Sequence, residues 1–269
     1  MKILITGANG QLGQEVSRLI PDASRPGRNE MDMADPGAVG RTLDEIQPDL
    51  IFNCAAMTDV DGCEKDRNSA YMINSVSPSV IAQYCIKTGA RVVHFSTDYV
   101  FDGTRGMYTE EDAPDPVNYY GLSKILGDFA VIPLSNSLII RTSGVFGEKM
   151  NFPLFVYTSL RDGKEINAIE SSYSPVNAAN LARASVEVER KGLSGILNIA
   201  GDRISRYEMA LGIARFFGMD ESLVRKGNKI PGGIARRPFD SSLDISRATK
   251  LLDWDFHSLE SNISRLDVH

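Results

Sequence analysis

The chain has 269 residues, 42% of them hydrophobic and 24% charged, and a net charge of −6 from 35 acidic and 29 basic residues. That is the composition of a globular chain with one large domain or two small ones, and its acidic balance argues against nucleic acid as a partner. Three cysteines without a CxxC pair give no disulfide framework, and no apolar run reaches the ~18 residues of a membrane span, so a cytoplasmic protein is expected.

Residues 2–6, Lys-Ile-Leu-Ile-Thr, read as a first strand. Gly7-Ala8-Asn9-Gly10-Gln11-Leu12-Gly13 follows, and then a helical pattern through Ile20. Gly7, Gly10 and Gly13 permit a tight turn, close approach of backbone to a pyrophosphate, and close helix–strand packing, while the helix start faces the phosphates. Strand before and helix after make this a dinucleotide-binding turn. The second strand, over 22–28, is poor and lacks the carboxylate that would accept hydrogen bonds from a ribose 2′-hydroxyl. Arg25 and Arg28 stand there instead. Either they hold a 2′-phosphate, selecting NADP with NAD still possible, or they are solvated loop charges. Asp32 either meets the adenine end of the cofactor or caps a turn.

Asp35 as N-cap, Pro36 at the first position and Val39, Leu43 and Ile46 on one face predict a helix over 35–46. A strand over 48–56 ends in small residues, Cys54, Ala55 and Ala56, against which a flat ring can lie. A long helix carrying Asn74 is expected over 66–88, and a buried strand over 90–95. His94 in that strand reads as a satisfied core residue. Helices over 120–131, 175–189 and 207–217 and strands over 137–141 and 196–199 complete an alternating pattern, which means a parallel sheet. The fold class expected is α/β: a Rossmann-type doubly wound sheet with a smaller C-terminal substrate-binding domain. Residues 1–147 with 176–199 would form the dinucleotide-binding part, and 148–175 with 200–269 the substrate-binding part.

The chemistry centres on Ser96–Lys124. Thr97 and Asp98 fall at a strand's carboxyl end, and Tyr120 and Lys124 are four apart on a helix, hence on one face. An ammonium beside a phenol pulls its pKa toward the working range, and Thr97 can donate to the same carbonyl oxygen that the phenol protonates. Alone, the pair reads better as an ordinary surface contact; the dinucleotide turn upstream favours the catalytic reading. Arg236 and Arg237 lie in a loop, 231–238, that either receives a phosphorylated substrate or is a solvated basic loop. No cluster has metal-ligand spacing, so no metal is expected.

These residues together resemble the extended short-chain dehydrogenases/reductases, and within them the dTDP-4-dehydrorhamnose reductase family. The related regulatory β-subunit of methionine adenosyltransferase shows the same features. The resemblance rests on Thr6–Gly13, Asn53-Cys54-Ala55-Ala56 with Thr58, Ser96–Gly103, Tyr120–Lys124, Arg141-Thr142-Ser143, and Arg237-Pro238 with Leu243-Asp244. It implies reduction of a 4-keto nucleotide sugar, or alternatively a non-catalytic NADP-binding regulator, working as a monomer or homodimer. It implies that Gly10, Gln11 and Leu12 hold the pyrophosphate, Asp32 and Met33 meet the adenosine, and Ala55, Ala56 and Met57 line the nicotinamide-ribose side. Tyr120 would be the acid, Lys124 would bind the ribose, and Thr97, Asp98 and Tyr99 would face the sugar. Gly144 departs from the family, which has a tryptophan there, as does Ser171–Pro175; both changes bear on the sugar, not on the cofactor.

Overall fold

The computed structural model describes residues 1–227 and 233–266. Its centre is a five-stranded, wholly parallel sheet of β1 (Ile3–Thr6), β2 (Leu50–Asn53), β3 (Arg91–Thr97), β4 (Leu138–Thr142) and a fifth strand, Gly195–Asn198, in that spatial order. These strands are almost continuously buried and apolar, as strands covered on both faces must be. The weak second strand is reduced to a single bridge: Ser24 pairs with Leu4 on the outer edge of β1, through Ile5 N–H to Ser24 O at 2.9 Å and Ser24 N–H to Ile3 O at 2.8 Å. From there the chain crosses to the other side of β1. The order therefore reverses between β1 and β2, where ligands enter a doubly wound sheet.

Each face has its own apolar layer. One contains Val16 of the Gln11–Leu19 helix with Leu181, Ala184 and Val188 of the Ala178–Arg190 helix. The other contains Val39 and Leu43 of the Pro36–Ile46 helix with Ile81 and Cys85 of the Ser77–Thr88 helix. Asp35 caps the Pro36–Ile46 helix through Gly37 N–H, as its sequence predicts. A third cluster joins Phe146, Val156, Leu160 and Tyr173 to Met209 and Ile213 of the Arg206–Phe216 helix. Leu243, Ala248 and Phe256 return to the first sheet layer.

The helix expected over 66–88 is continuous but not uniform. Met72–Val76 is a π-helical turn lying just before Pro78. Proline has no N–H to give the Asn74 carbonyl, and its ring crowds that oxygen, so the turn widens there. No helix among the described residues is long and apolar enough to cross a membrane.

Candidate active site

A cleft of about 510 Å³ opens along the carboxyl ends of β1, β2 and β3. Gly10, Gln11, Leu12 and Gly13 line it with Ala56, Thr97, Asp98, Tyr99, Tyr120 and Lys124. A second depression, about 540 Å³, lies at the sheet's amino edge beside Lys2, Asp49 and Ala90 and brings together no such constellation.

The glycine-rich turn is shaped by what a side chain would strike. Gly7 has φ +64°, and a Cβ there would stand 2.7 Å from the Ala55 Cα; at Gly13 it would stand 2.2 Å from the Gly7 oxygen. The Gln11–Leu19 helix starts at Gly10 without a capping side chain, whereas the helices starting at Pro36, Tyr119, Phe152, Ala178 and Arg206 are each capped by Asp, Asn or Ser. Its first amides are free toward the cleft. The turn thus fits a pyrophosphate, with backbone donors, a helix start and no side chain in the way. Lys149, which no local motif announces, reaches over it with Nζ 3.0 Å from the Asn9 oxygen.

The other expected cofactor residues are placed less uniformly. Ala55 packs beneath Gly7, and Met57 is held through its backbone by Asn74, whose side chain accepts from Met57 N–H at 2.9 Å and donates to Met57 O at 3.0 Å. Asn74 also donates to Ser123 Oγ at 2.9 Å, so the π-helical turn ties the β2 loop to the Tyr120 helix. Arg25 is exposed and donates to the carbonyls of Ala23 and Pro21. Arg28 is exposed and 3.7 Å from Asp32, whose carboxylate also accepts from Ala34 N–H. Met33 lies beside it, its carbonyl accepting from Ser77 Oγ. None of these four reaches the cleft lining. Cys54 is half-buried at the cleft, while Cys63 and Cys85 are buried.

Asn118 caps the Tyr119–Val131 helix through Gly121 N–H at 2.9 Å, which sets Tyr120 in its first turn. Tyr120 and Lys124 both face the cleft, and Thr97 lines it beside the phenol. Lys124 is 2% exposed and donates to the Phe95 carbonyl at 2.6 Å. Burial pulls its pKa down to about 8. One expectation is corrected here. The phenol of Tyr120 is not drawn down by its lysine neighbour; burial pushes it up, and the nearby Thr97 hydroxyl does not offset that. The phenol therefore carries its proton at neutral pH, as an unshifted phenol also does, and releases it only as negative charge grows on an acceptor.

Asp98 is buried beneath this pair and accepts from Thr97 Oγ at 3.1 Å, Ser143 Oγ at 2.7 Å and Ser241 Oγ at 2.5 Å. Burial raises its pKa against those three bonds. The Tyr99 ring meets that of Tyr120 edge-on at 5.9 Å. Within β3, His94 is fully buried, as expected of a core residue, with Nδ1 2.9 Å from Asn53 Nδ2; its Nε2, 3.4 Å from Asp128, makes no hydrogen bond, so it is only partly satisfied.

Of the two loop arginines, Arg236 is exposed, in keeping with a solvated loop. Arg237 is paired with Asp61 at 3.0 Å and is absent from the cleft lining; it straps its loop to the Val60–Lys65 helix. Pro231 and Gly232 of that loop lie outside the described residues. Among the described residues the arginine that does line the cleft is Arg206, with Tyr173, Pro238 and Ser241 beside it. The space left by Gly144 is filled by Tyr173: a Cβ at Gly144 would stand 2.8 Å from its ring.

A parallel sheet, an uncapped glycine-rich turn at its reversal point, and a Tyr/Lys pair above its carboxyl edge define a Rossmann-type oxidoreductase of the short-chain class. The chain belongs to the family described as RmlD substrate binding domain, whose model matches residues 1–266. It is 32% identical to the probable low-salt glycan biosynthesis reductase Agl14 of Haloferax volcanii, over 100% of this chain and 98% of that one. It is 29% identical to methionine adenosyltransferase 2 subunit beta of Rattus norvegicus, over 93% and 82%. A hypothetical dTDP-4-dehydrorhamnose reductase from Sulfolobus tokodaii superposes with a TM-score of 0.92 at 43% identity over all of both chains. The dTDP-4-dehydrorhamnose reductase of Bacillus anthracis, solved in complex with NADP, does so at 0.89 and 30%, over 98% of each.

Proposed function

We propose that the protein reduces the 4-keto group of a nucleotide sugar with NADPH (NADH being a possible substitute), dTDP-4-dehydro-L-rhamnose to dTDP-L-rhamnose being the leading case. The observation that carries this reading is the convergence of Thr97, Tyr120 and Lys124 on one cleft that begins at the uncapped glycine-rich turn. Residues 1–147 with 176–199 would hold the cofactor and 148–175 with 200–269 the substrate. The separate apolar cluster around Val156 and Ile213 supports this division, although Leu243–Phe256 crosses back onto the sheet. The enzyme would be cytoplasmic and act as a monomer or homodimer.

The reduced nicotinamide supplies a hydride to the carbonyl carbon. The chain's own residues do the rest. Gly10 to Gly13 bind the pyrophosphate, with Lys149 above them. Tyr120, protonated at neutral pH, gives its proton to the carbonyl oxygen as negative charge grows there, so that ketone, hydride and proton balance to an alcohol. Thr97 donates a second hydrogen bond to that oxygen when its proton turns from Asp98 into the cleft. Lys124 uses one donor on Phe95 and has others for a ribose hydroxyl.

The test is consumption of NADPH by purified protein given dTDP-4-dehydro-L-rhamnose, followed by absorbance. No turnover across several 4-keto nucleotide sugars, with NADP still bound, would instead support a non-catalytic regulator, which the likeness to the methionine adenosyltransferase subunit makes the second reading.

A further inference from the structure

We infer that Arg206 is an anion receptor in the substrate half of the cleft, taking a phosphoryl or carboxylate oxygen of the substrate and so deciding which nucleotide sugars are accepted. This rests on the nucleotide-sugar reading above and adds to it a residue that no motif marks.

Arg206 is the first residue of the Arg206–Phe216 helix, whose start is fixed by a reciprocal capping box between Ser205 and Glu208. Its N–H donates to the Ser171 carbonyl at 3.1 Å and its guanidinium to Ser171 Oγ at 2.8 Å. The guanidinium lies over the Tyr173 ring, 4.4 Å from the centroid. Tyr173 is itself fixed. Its hydroxyl meets the Met209 sulfur at 2.9 Å, and its ring lies against Gly144, at φ +42°, where any Cβ would collide with it. The charge is held on a rigid shelf rather than at the end of a free stem.

It is also uncompensated. The neighbouring arginines are spoken for, Arg203 by Asp240 at 2.7 Å and Arg237 by Asp61 at 3.0 Å. Arg206 makes no ion pair among the described residues. Asp98, whose ionised form it favours, is occupied by Thr97, Ser143 and Ser241. A guanidinium has five donors in a planar fork. Ser171 takes one here and the Tyr99 hydroxyl stands near the group, leaving a fork suited to two oxygens of one anion. Because Tyr99 stands against Tyr120, that anion would lie close to the reacting sugar. The glycine-rich turn has a different cation, Lys149.

The experiment uses wild type, Arg206→Gln and Arg206→Lys, with thermal unfolding and NADP affinity as controls for folding. Calorimetric titration with dTDP, UDP and thymidine, and with UDP-glucuronate against UDP-glucose, separates the two sources of the anion. Loss of a charged hydrogen bond of this kind weakens binding by about 10- to 100-fold. If the anion is phosphoryl, Arg206→Gln loses that factor on dTDP or UDP, Arg206→Lys loses less, and thymidine is unchanged. If it is a carboxylate, Arg206→Gln keeps UDP but loses the preference of UDP-glucuronate over UDP-glucose. Binding of every probe by Arg206→Gln as by wild type overturns the inference alone. A wild type that holds none of them at millimolar concentration overturns it together with the reading it rests on.

Discussion

The two halves of the cleft are built in opposite ways. The cofactor half is made largely of backbone: the turn from Gly7 to Gly13 and free amides at a helix start, nearly contiguous in sequence. The substrate half is made of side chains from distant segments, Asp98, Tyr173, Arg206 and Ser241, which meet only when the chain has folded. A backbone site tolerates change poorly, because the colliding atoms cannot move aside. A side-chain site can alter what it binds without disturbing the chemistry beside it. The first half explains shared chemistry, and the second is where a change of sugar would be written.

The largest effect should come where the halves meet. Tyr120→Phe keeps the ring and its edge contact with Tyr99 but removes the proton. Turnover should fall by ~10²–10⁴, with NADP affinity within a few-fold of wild type. Rates near wild type would dismiss Tyr120 as the acid.

Two glycine substitutions contrast the halves directly. In Gly7→Ala the new Cβ strikes backbone, the Ala55 Cα at 2.7 Å, in a positive-φ turn. We expect a loss of ~1–3 kcal/mol in stability and weaker NADP binding. In Gly144→Ala the Cβ strikes the Tyr173 ring instead. That should raise the KM for the sugar nucleotide while NADP affinity holds. Equal effects of both on NADP would erase the distinction.

Lys124 gives a pH-dependent test. Its charge is complete below its lowered pKa of about 8 and lost above it, so NADP affinity and kcat/KM should decline as pH rises through 8. Stability should move the other way. Between pH 8 and the ordinary lysine value of 10.5 the unfolded chain binds a proton that the folded chain does not, so the folded state gains as pH rises. Lys124→Met should bind NADP weakly at every pH and lack that gain. Denaturant titrations of both proteins across this range check the sign; a parallel pH course in the variant would remove Lys124 as its source.

The same division decides what could be read in advance. Periodicity, the Asp35 and Ser205 caps and the glycine turn are local signals, and the sheet, its helices and the Thr97/Tyr120/Lys124 geometry follow from them. The strand expected over 22–28 shrinks to the Ser24 bridge because Pro26 and Gly27 offer no ladder to continue it. The Tyr120 phenol is governed by burial, which no spacing reports. A basic loop offers Arg237 either as an anion site or as a solvated charge; it is neither, because its partner Asp61 lies far off in sequence. Nothing near Arg206 in sequence marks the shelf that Ser171, Tyr173 and Gly144 make for it.

The smallest effect belongs to the edge of the cofactor half, where side chains rather than backbone would choose between NADPH and NADH. Ser24 is the last residue bonded to β1, so Arg25 leaves the sheet at its carboxyl end, without a carboxylate to repel a 2′-phosphate. A well-placed charge-assisted bond contributes roughly 1.5–3 kcal/mol. Neither arginine has that placement ready. Arg25 must give up the carbonyls of Ala23 and Pro21, and Arg28 must leave Asp32 at 3.7 Å. Both are exposed and screened by salt. What survives should be under ~1 kcal/mol, a preference for NADPH of severalfold rather than hundreds. Arg25→Ala with Arg28→Ala should erase it and leave kcat/KM with NADH unchanged, and raising ionic strength should shrink it in wild type. A preference that outlasts the double substitution, or is indifferent to salt, would assign the choice of cofactor to groups other than these two arginines.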